Sequence, residues 1–242
     1  MNTYLELLKK FDEFKGKPIL IGNCHKNCGL ILEELLGTSG GYFNIPDYYD
    51  LEIKAAQYHE KKEITLFSHP PTGSVVFPMK YLSDKYGYPD HDFKNIKVLK
   101  GNINAKNKKK IGLFYYYKLE IDNYKKRINL NVYNNYFKLI DNSIYWDYDE
   151  LKEMLERKLK NLAIFLAEKK KINLKNYYIF NNMSFYHLKS FDTFISEIES
   201  GNIFITINTG VYKSGYRIGQ FVDHGCSFRI KLIHIENLFI KN

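Results

Sequence analysis

The chain of 242 residues contains no run of about 18 apolar residues, the minimum for a membrane-crossing helix. Its first stretch, "MNTYLELLKKFDEFKGK", lacks the apolar block and small-residue cleavage site of a secretory leader. These absences predict a soluble cytoplasmic protein with no membrane partner. Cysteine is scarce, and the three present, an odd number, fit a reducing compartment better than a disulfide framework. No Pro- or Ser-rich stretch marks a linker, and no internal repeat is visible. The one tryptophan, Trp146 in "IYWDYDEL", is expected in the core beneath the helix that follows it. Apolar residues, at 45%, are plentiful enough to exclude disorder and to fill one large domain or two packed lobes.

Lys and Arg number 36 against 27 Asp and Glu, a formal charge of +9, and 21 Tyr with 17 Phe bring the aromatic share to 16%. A basic, aromatic chain suits a polyanion, because cationic side chains neutralise phosphates while rings pack or stack. An AT-rich genome gives the same composition, so charge alone leaves both readings open.

Helical spacing of apolar residues runs from Thr3 to Phe14, and "GLILEELLG" reads as a second short helix closed by glycine. "LEIKAA" and "EITLFSH" are predicted strands, with the polar "QYHEKK" between them suited to a hairpin. "PPTGSVVFP" reads as a surface loop, since its prolines lack ladder donors. Residues 114–121 and 128–133 alternate as antiparallel sheet behind the basic loop "KNKKK". Helical period returns at 149–161, followed by the buried strand "LAIFLAE", and another helix fits 191–200. "IFITIN" and "SFRIKL" are predicted strands around a Gly-rich loop, "TGVYKSGYRIGQFVDHG".

The densest chemistry lies in "PDYYDLEIK". Alternation puts Leu51, Ile53 and Ala55 on one face of an extended strand, and Glu52, Lys54 and Ala56 on the other. A bend at "YYD" brings Asp47 beside Glu52, so that two carboxylates and an ammonium converge. Phosphodiester hydrolysis uses such a set: hard oxygen ligands hold Mg²⁺, and a lysine positions or deprotonates the attacking water. A surface ladder in which Lys54 pairs with Glu52 while Asp47 starts a turn accounts for the spacing equally well.

Asp47 after Pro46, then Glu52-Ile53-Lys54, matches the PD-(D/E)XK nuclease signature, and "NIPDYYDLEIKAAQYHEKKEITLFSHPPTG" resembles the MvaI/BcnI family of Type II restriction endonucleases, relatives of the mismatch-repair nickase MutH. "DNSIYWDYDELKEMLERKLKNLAIFLAE" and "GVYKSGYRIGQFVDHGCSFRI" resemble later segments of that family in the same order, so the likeness spans about residues 1–235. It implies an α/β (α+β) fold, a restriction-endonuclease-like mixed sheet flanked by helices, with two lobes in one chain. A catalytic lobe at 1–95, joined by the strand near 162–168, and a mainly DNA-recognition lobe at 96–242 are the expected divisions.

Residue by residue, the resemblance implies Asp47 and Glu52 as Mg²⁺ ligands and Lys54 as the catalytic lysine. Glu33 matches an additional acidic residue of such sites, or else is a solvated position at the end of its helix. The implied reaction is Mg²⁺-dependent cleavage of double-stranded DNA at a short CCNGG-like target, leaving a 5′-phosphate and a 3′-hydroxyl. A monomer cutting the two strands in turn, in a prokaryotic cytoplasm shared with a cognate DNA methyltransferase, is implied as well. A MutH-like nickase and a non-catalytic basic DNA-binding module are the alternatives.

Base edges are read by side chains with matching donors and acceptors. Arg217 and Arg229 suit guanine, Asp223 suits the cytosine amino group, and His224 suits the central pair, while Lys213 and Arg217 suit phosphates equally. His69 and Lys80 fall in a stretch resembling a family loop near the active site, which makes them candidate DNA contacts. "CHKNC", with Cys24, His25 and Cys28, lacks the second pair that structural zinc requires and reads as reduced thiols.

Overall fold

The structure, a computed structural model, describes residues 3–22, 27–38, 46–58, 62–73 and 75–242. Cys24 and His25 lie outside the described residues, and Cys28 is a buried free thiol. No described helix is long and apolar enough to cross a membrane.

The chain forms two compact units that interleave along the sequence: Met1–Ile64 with Glu153–Phe191 and Lys231–Asn242, and Thr65–Lys152 with Asp192–Ile230. The expected division at residue 95, with the strand at 162–168 joining the first lobe, differs from this one: residues 65–95 belong to the second unit, and 153–191 and 231–242 to the first, where strands from distant parts of the chain complete one sheet.

The first unit is organised by a long antiparallel hairpin, Asn161–Ile172 against Lys175–Leu188. The short strands Ile19–Leu20 and Phe239–Lys241 pair with the second arm. The strand Glu52–Gln57 lies parallel to the first arm, with Glu52 opposite Leu162 and Lys54 opposite Ile164. One face of this sheet is the core: Leu51, Ile53, Ala163, Phe165 and Phe180 pack with Leu7, Phe11 and Phe14 of the helix Thr3–Phe14 and with Ile31, Leu32 and Leu36 of the helix Cys28–Leu36. Phe11 meets Phe165 edge to face, with ring centroids 5.3 Å apart, a geometry that favours the aromatic quadrupoles. Asn27 caps the second helix by accepting from Leu30 N, and Gly37 ends it in the left-handed conformation.

The hairpin expected between "LEIKAA" and "EITLFSH" does not form. Glu52–Gln57 belongs to the first unit's sheet, whereas Glu63–Ser68 is in another sheet, with the strands Phe221–Lys231, Ile203–Val211 and Lys100–Ile103. Alternation identifies strands but carries no information about which strand is the partner.

In the second unit this sheet accompanies an antiparallel one made of Lys109–Ile111, Tyr115–Asp122, Arg127–Tyr133 and Leu139–Asp147. Phe67 stacks on Phe228 at 4.9 Å, and Trp146, fully buried as its position predicted, meets Phe228 edge-on at 5.8 Å. The strands on either side of "YKSGYRIGQ" run further than expected, so Asp223 and His224 sit on strand rather than loop. Ile207 pairs with Cys226 and Thr209 with Asp223, two steps on one strand against three on the other. The extra residue is accommodated as a bulge at Gly225, whose φ of 88° suits glycine.

Candidate active site and nucleic-acid interface

Tyr48 and Leu51 form an isolated antiparallel bridge around Tyr49 and Asp50, closed by Tyr48 N to Leu51 O (3.0 Å) and Leu51 N to Tyr48 O (2.9 Å). The Tyr48 hydroxyl donates to Glu6 Oε1 at 2.6 Å, which ties the turn to the first helix. The turn folds Asp47 back along the strand, where its Oδ2 accepts from Ile53 N at 3.2 Å. A backbone bond to a charged acceptor contributes about 1.5–3 kcal/mol and fixes the carboxylate relative to Glu52.

Glu52 is fully buried, although it belongs to the face expected to be polar. Its Oε1 accepts from Lys54 Nζ and lies 3.5 Å from Lys158 Nζ, while its Oε2 is buried without a hydrogen-bond partner. Burial pushes its carboxyl above the usual range; the Asp47 charge adds to this, and Lys54 and Lys158 oppose it. Glu33 is half-buried on its helix, and its carboxyl is likewise raised, first by burial and then by Asp47, with Lys54 opposing. Asp47 and Lys54 therefore lie within electrostatic reach of both Glu52 and Glu33. The Lys54–Glu52 contact anticipated for a plain surface ladder is present, but a solvated ladder would not bury one of its carboxylates.

Lys158 was not singled out in the sequence. It sits in the last turn of the helix Tyr148–Leu159, just before the strand that pairs with Glu52–Gln57, and only that long-range parallel pairing brings it to Glu52. The orphaned Glu52 Oε2 suits a hard cation, since a buried carboxylate oxygen without a donor costs about 1–3 kcal/mol or more. Among the described residues no three His, Cys, Asp or Glu side chains close a ligand cage. Two carboxylates fit Mg²⁺ nonetheless, because that ion keeps several waters and completes its shell with substrate phosphate.

The residues selected for DNA contact all fall in the second unit, and most have internal partners. Lys80 pairs with Asp84 and lies over the Phe221 ring, 5.4 Å from its centroid. His69 Nε2 lies 3.3 Å from Glu150 Oε2. Lys213 pairs with Asp90 and, at 3.0 Å, with Asp92, and Arg217 is exposed over Tyr212 at 4.2 Å. Asp223 and His224 are exposed; Asp223 Oδ1 accepts from Gly225 N at 2.7 Å. The His224 ring lies over Gly210, where an added Cβ would meet its Nε2 at 3.4 Å. Arg229 is half-buried and shares a strand face with Ser227, opposite Thr206.

This sheet face carries further polar groups absent from the sequence reading. Ser227 Oγ lies 2.9 Å from Ser68 Oγ, Thr206 Oγ1 donates to Asn102 Oδ1 at 2.8 Å, and Asn208 is exposed two residues on. In sequence these are ordinary alternating polar positions of sheet strands. Only the pairing of four strands gathers them around Arg229.

The profile of the MvaI/BcnI restriction endonuclease family matches residues 8–239. A solved structure described as a restriction endonuclease MvaI–cognate DNA substrate complex is 30% identical, with a TM-score of 0.86 over 100% of this chain and 98% of that one. Restriction endonuclease MvaI in the absence of DNA is 29% identical, with a TM-score of 0.64 over the same shares. No curated protein matches.

Proposed function

From the premise that the chain belongs to the MvaI/BcnI restriction endonuclease family, and is thus a Type II restriction endonuclease acting on DNA, we propose that Asp47, Glu52 and Lys54 are its hydrolytic centre. The reaction is hydrolysis of a DNA phosphodiester to a 5′-phosphate and a 3′-hydroxyl. The observation that carries this reading is Glu52, a fully buried carboxylate with one oxygen lacking a donor and the other held by Lys54.

Asp47 and Glu52 would hold Mg²⁺, which when bound offsets charge on the scissile phosphate and lowers the pKa of a coordinated water. Lys54 Nζ, fixed by Glu52 Oε1, donates to the attacking water and orients it in line with the scissile P–O bond. Asp47 is kept rigid by Ile53 N, so the set is organised before substrate arrives. Lys158 shares the Glu52 charge and limits the cost of burying it. Glu33 adds negative potential from its helix without touching Glu52 or Lys54 in the described contacts.

For the target we propose an interrupted C·G-rich site of the CCNGG type, read by Arg217, Asp223, His224 and Arg229 with His69 and Lys80 on the flanking loop. Arginine in bidentate contact with guanine, and a carboxylate accepting from cytosine, suit such a sequence. Lys213 instead holds its loop through Asp90 and Asp92. Catalysis would thus sit mainly with the chain before residue 65 and the strand at 162–168, and recognition with His69, Lys80 and the later chain. The protein would act as a monomer in a prokaryotic cytoplasm, beside a methyltransferase that protects host DNA.

Incubation with supercoiled plasmid and Mg²⁺ tests the reading. Linear products, lost when Mg²⁺ is chelated and lost in Asp47→Ala and Lys54→Ala, are expected, with cut ends mapping to one short target. Products that stop at open circles would establish a nickase, and undiminished cutting by both variants would remove the assigned centre.

A further inference from the structure

The loop leading into the helix Pro78–Tyr86 ends in an apolar tip that the assigned chemistry leaves without a task. Val76 and Phe77 are 79% and 76% exposed. Phe77 also has a φ of 56° and a ψ of 63°, the left-handed region that a bulky side chain occupies only under strain. Neither feature helps the free protein: the ring gains nothing from burial, and the backbone at that residue is unfavourable.

The loop is braced as far as Gly73. Pro70 and Pro71 stiffen its start and Pro78 its end. Thr72 N donates to Tyr145 O at 2.8 Å, Thr72 Oγ1 donates to Glu150 at 2.7 Å, and Trp146 Nε1 donates to His69 O at 3.1 Å. Gly73 runs so close to the neighbouring strand that an added Cβ would lie 2.7 Å from Ser143 O. These contacts fix the chain up to Gly73, and Pro78 opens the helix on the other side of the tip.

The two ends of the loop are attached on either side of Asp223 and His224. His69 N donates to Cys226 O at 3.1 Å, and Lys80, one turn beyond Phe77, covers the Phe221 ring. The tip therefore emerges beside the exposed stretch of strand assigned to base reading, and with Lys80 paired to Asp84 of the same helix, Lys85 leaves that helix the net positive charge a phosphate backbone favours.

We propose that Val76 and Phe77 form an apolar wedge that presses on a base-pair step of the bound duplex, partly unstacking it so that Asp223 and His224 reach the adjacent base edges. Apolar side chains used in this way pay for unstacking with a deformed duplex that contacts more protein. The inference rests on the nuclease reading above and adds to it the part of the DNA that this loop engages.

The test uses the full-length protein, first on plasmid with Mg²⁺ and then on a duplex carrying the mapped cut site. With 2-aminopurine placed in turn at each position and Ca²⁺ replacing Mg²⁺, wild type is expected to raise emission at one step, and Phe77→Ser is not. Phe77→Gly relieves the left-handed strain, so it should melt at or above the wild-type temperature while kcat/KM falls tenfold or more, mostly through KM. Phe77→Leu should recover most of the loss. Unchanged emission and KM in both Phe77→Ser and Phe77→Gly would overturn the wedge while leaving the nuclease intact. A change in sedimentation mass in those variants with unchanged cleavage would overturn it in favour of self-association. Failure of wild type to cut any plasmid would overturn the nuclease reading and the wedge with it.

Discussion

Glu52 and Asp223 are both carboxylates on strands, yet they are held in opposite ways. Glu52 is out of contact with water, shares two lysines, and keeps one oxygen without a donor. Asp223 is exposed and already satisfied by a backbone N–H two residues on. The same contrast extends to their neighbours. Around Glu52 the charges are few, half-buried and unbalanced; around Asp223 they are many, more accessible and mostly engaged with internal partners such as Asp84, Glu150 and Asp90. A catalytic carboxylate benefits from low dielectric, where its interaction with a cation is strong and little reorganisation is needed. A reading carboxylate must exchange partners with DNA, and an exchange of one hydrogen bond for another costs little when the base is right. A wrong base leaves the freed group unpaired, and that loss is the discrimination.

The comparison is broken most directly at Glu52. Glu52→Gln keeps the shape and removes the charge, so plasmid cleavage is expected to fall by about 10²–10³-fold, the scale of losing a preorganised electrostatic stabiliser. Residual cleavage within tenfold of wild type, measured as loss of supercoiled DNA with time, would place the cation elsewhere. Arg229→Ala should have the next largest effect. If Arg229 grips guanine, the loss is about 1–3 kcal/mol, roughly five- to 150-fold in kcat/KM, and confined to targets bearing that guanine. Competition between cognate and base-substituted duplexes separates this from a general weakening, which would lower all of them alike.

Lys158→Ala sits between the two regions in character: its target is buried, but Lys158 is partly exposed and 3.5 Å away, against the direct contact from Lys54. A loss near tenfold, about 1.4 kcal/mol, is expected in single-turnover cleavage, with Lys158→Arg largely restoring the rate. A change only in melting temperature would make Lys158 a structural counter-ion and nothing more.

Much of the first region was legible because it is local. Asp47, Glu52 and Lys54 fall within eight positions, and period-two geometry with a bend before Leu51 is enough to converge them. Lys158 was not legible, since it depends on a parallel pairing with a strand more than a hundred residues later. The interleaving of the units escaped for the same reason, and the supposed hairpin failed because its two strands prefer partners far along the chain. The second region was visible as residue types, but Ser68, Asn102 and Thr206 become a surface with Arg229 only when four strands are aligned. Among the internal partners of its lysines, Asp84 stands at the i,i+4 spacing from Lys80 that a helix pairs, whereas Asp90, 123 residues from Lys213, had no sequence signal.

Lys213 gives the smallest effect and the sharpest division between the two regions. It was a candidate DNA contact by position, but its ammonium bonds to Asp90 and Asp92, and Asp90 is mostly buried. The Lys213 bond, followed by backbone N–H groups of Phe93 and Asp92, holds the Asp90 carboxyl well below its usual range, at about 2. A carboxyl lowered in the folded state contributes stability that is complete above its unfolded value, about 4, and is lost as pH falls through about 2. Lys213→Met removes the leading cause but leaves the backbone donors. Its melting temperature should therefore lie slightly below wild type by a constant amount above about pH 5, with the gap closing toward pH 2. The gap should shrink in high salt, because the lysine is half exposed and the pair is screened. Departure to a phosphate would leave Asp90 without its cation, so Lys213 should remain with Asp90 when DNA is bound. The slope of log kcat/KM against log salt should then be the same in Lys213→Met and wild type. A slope shallower by about one would mean that Lys213 changes partners, and would move it from the scaffold of the reading surface to the surface itself.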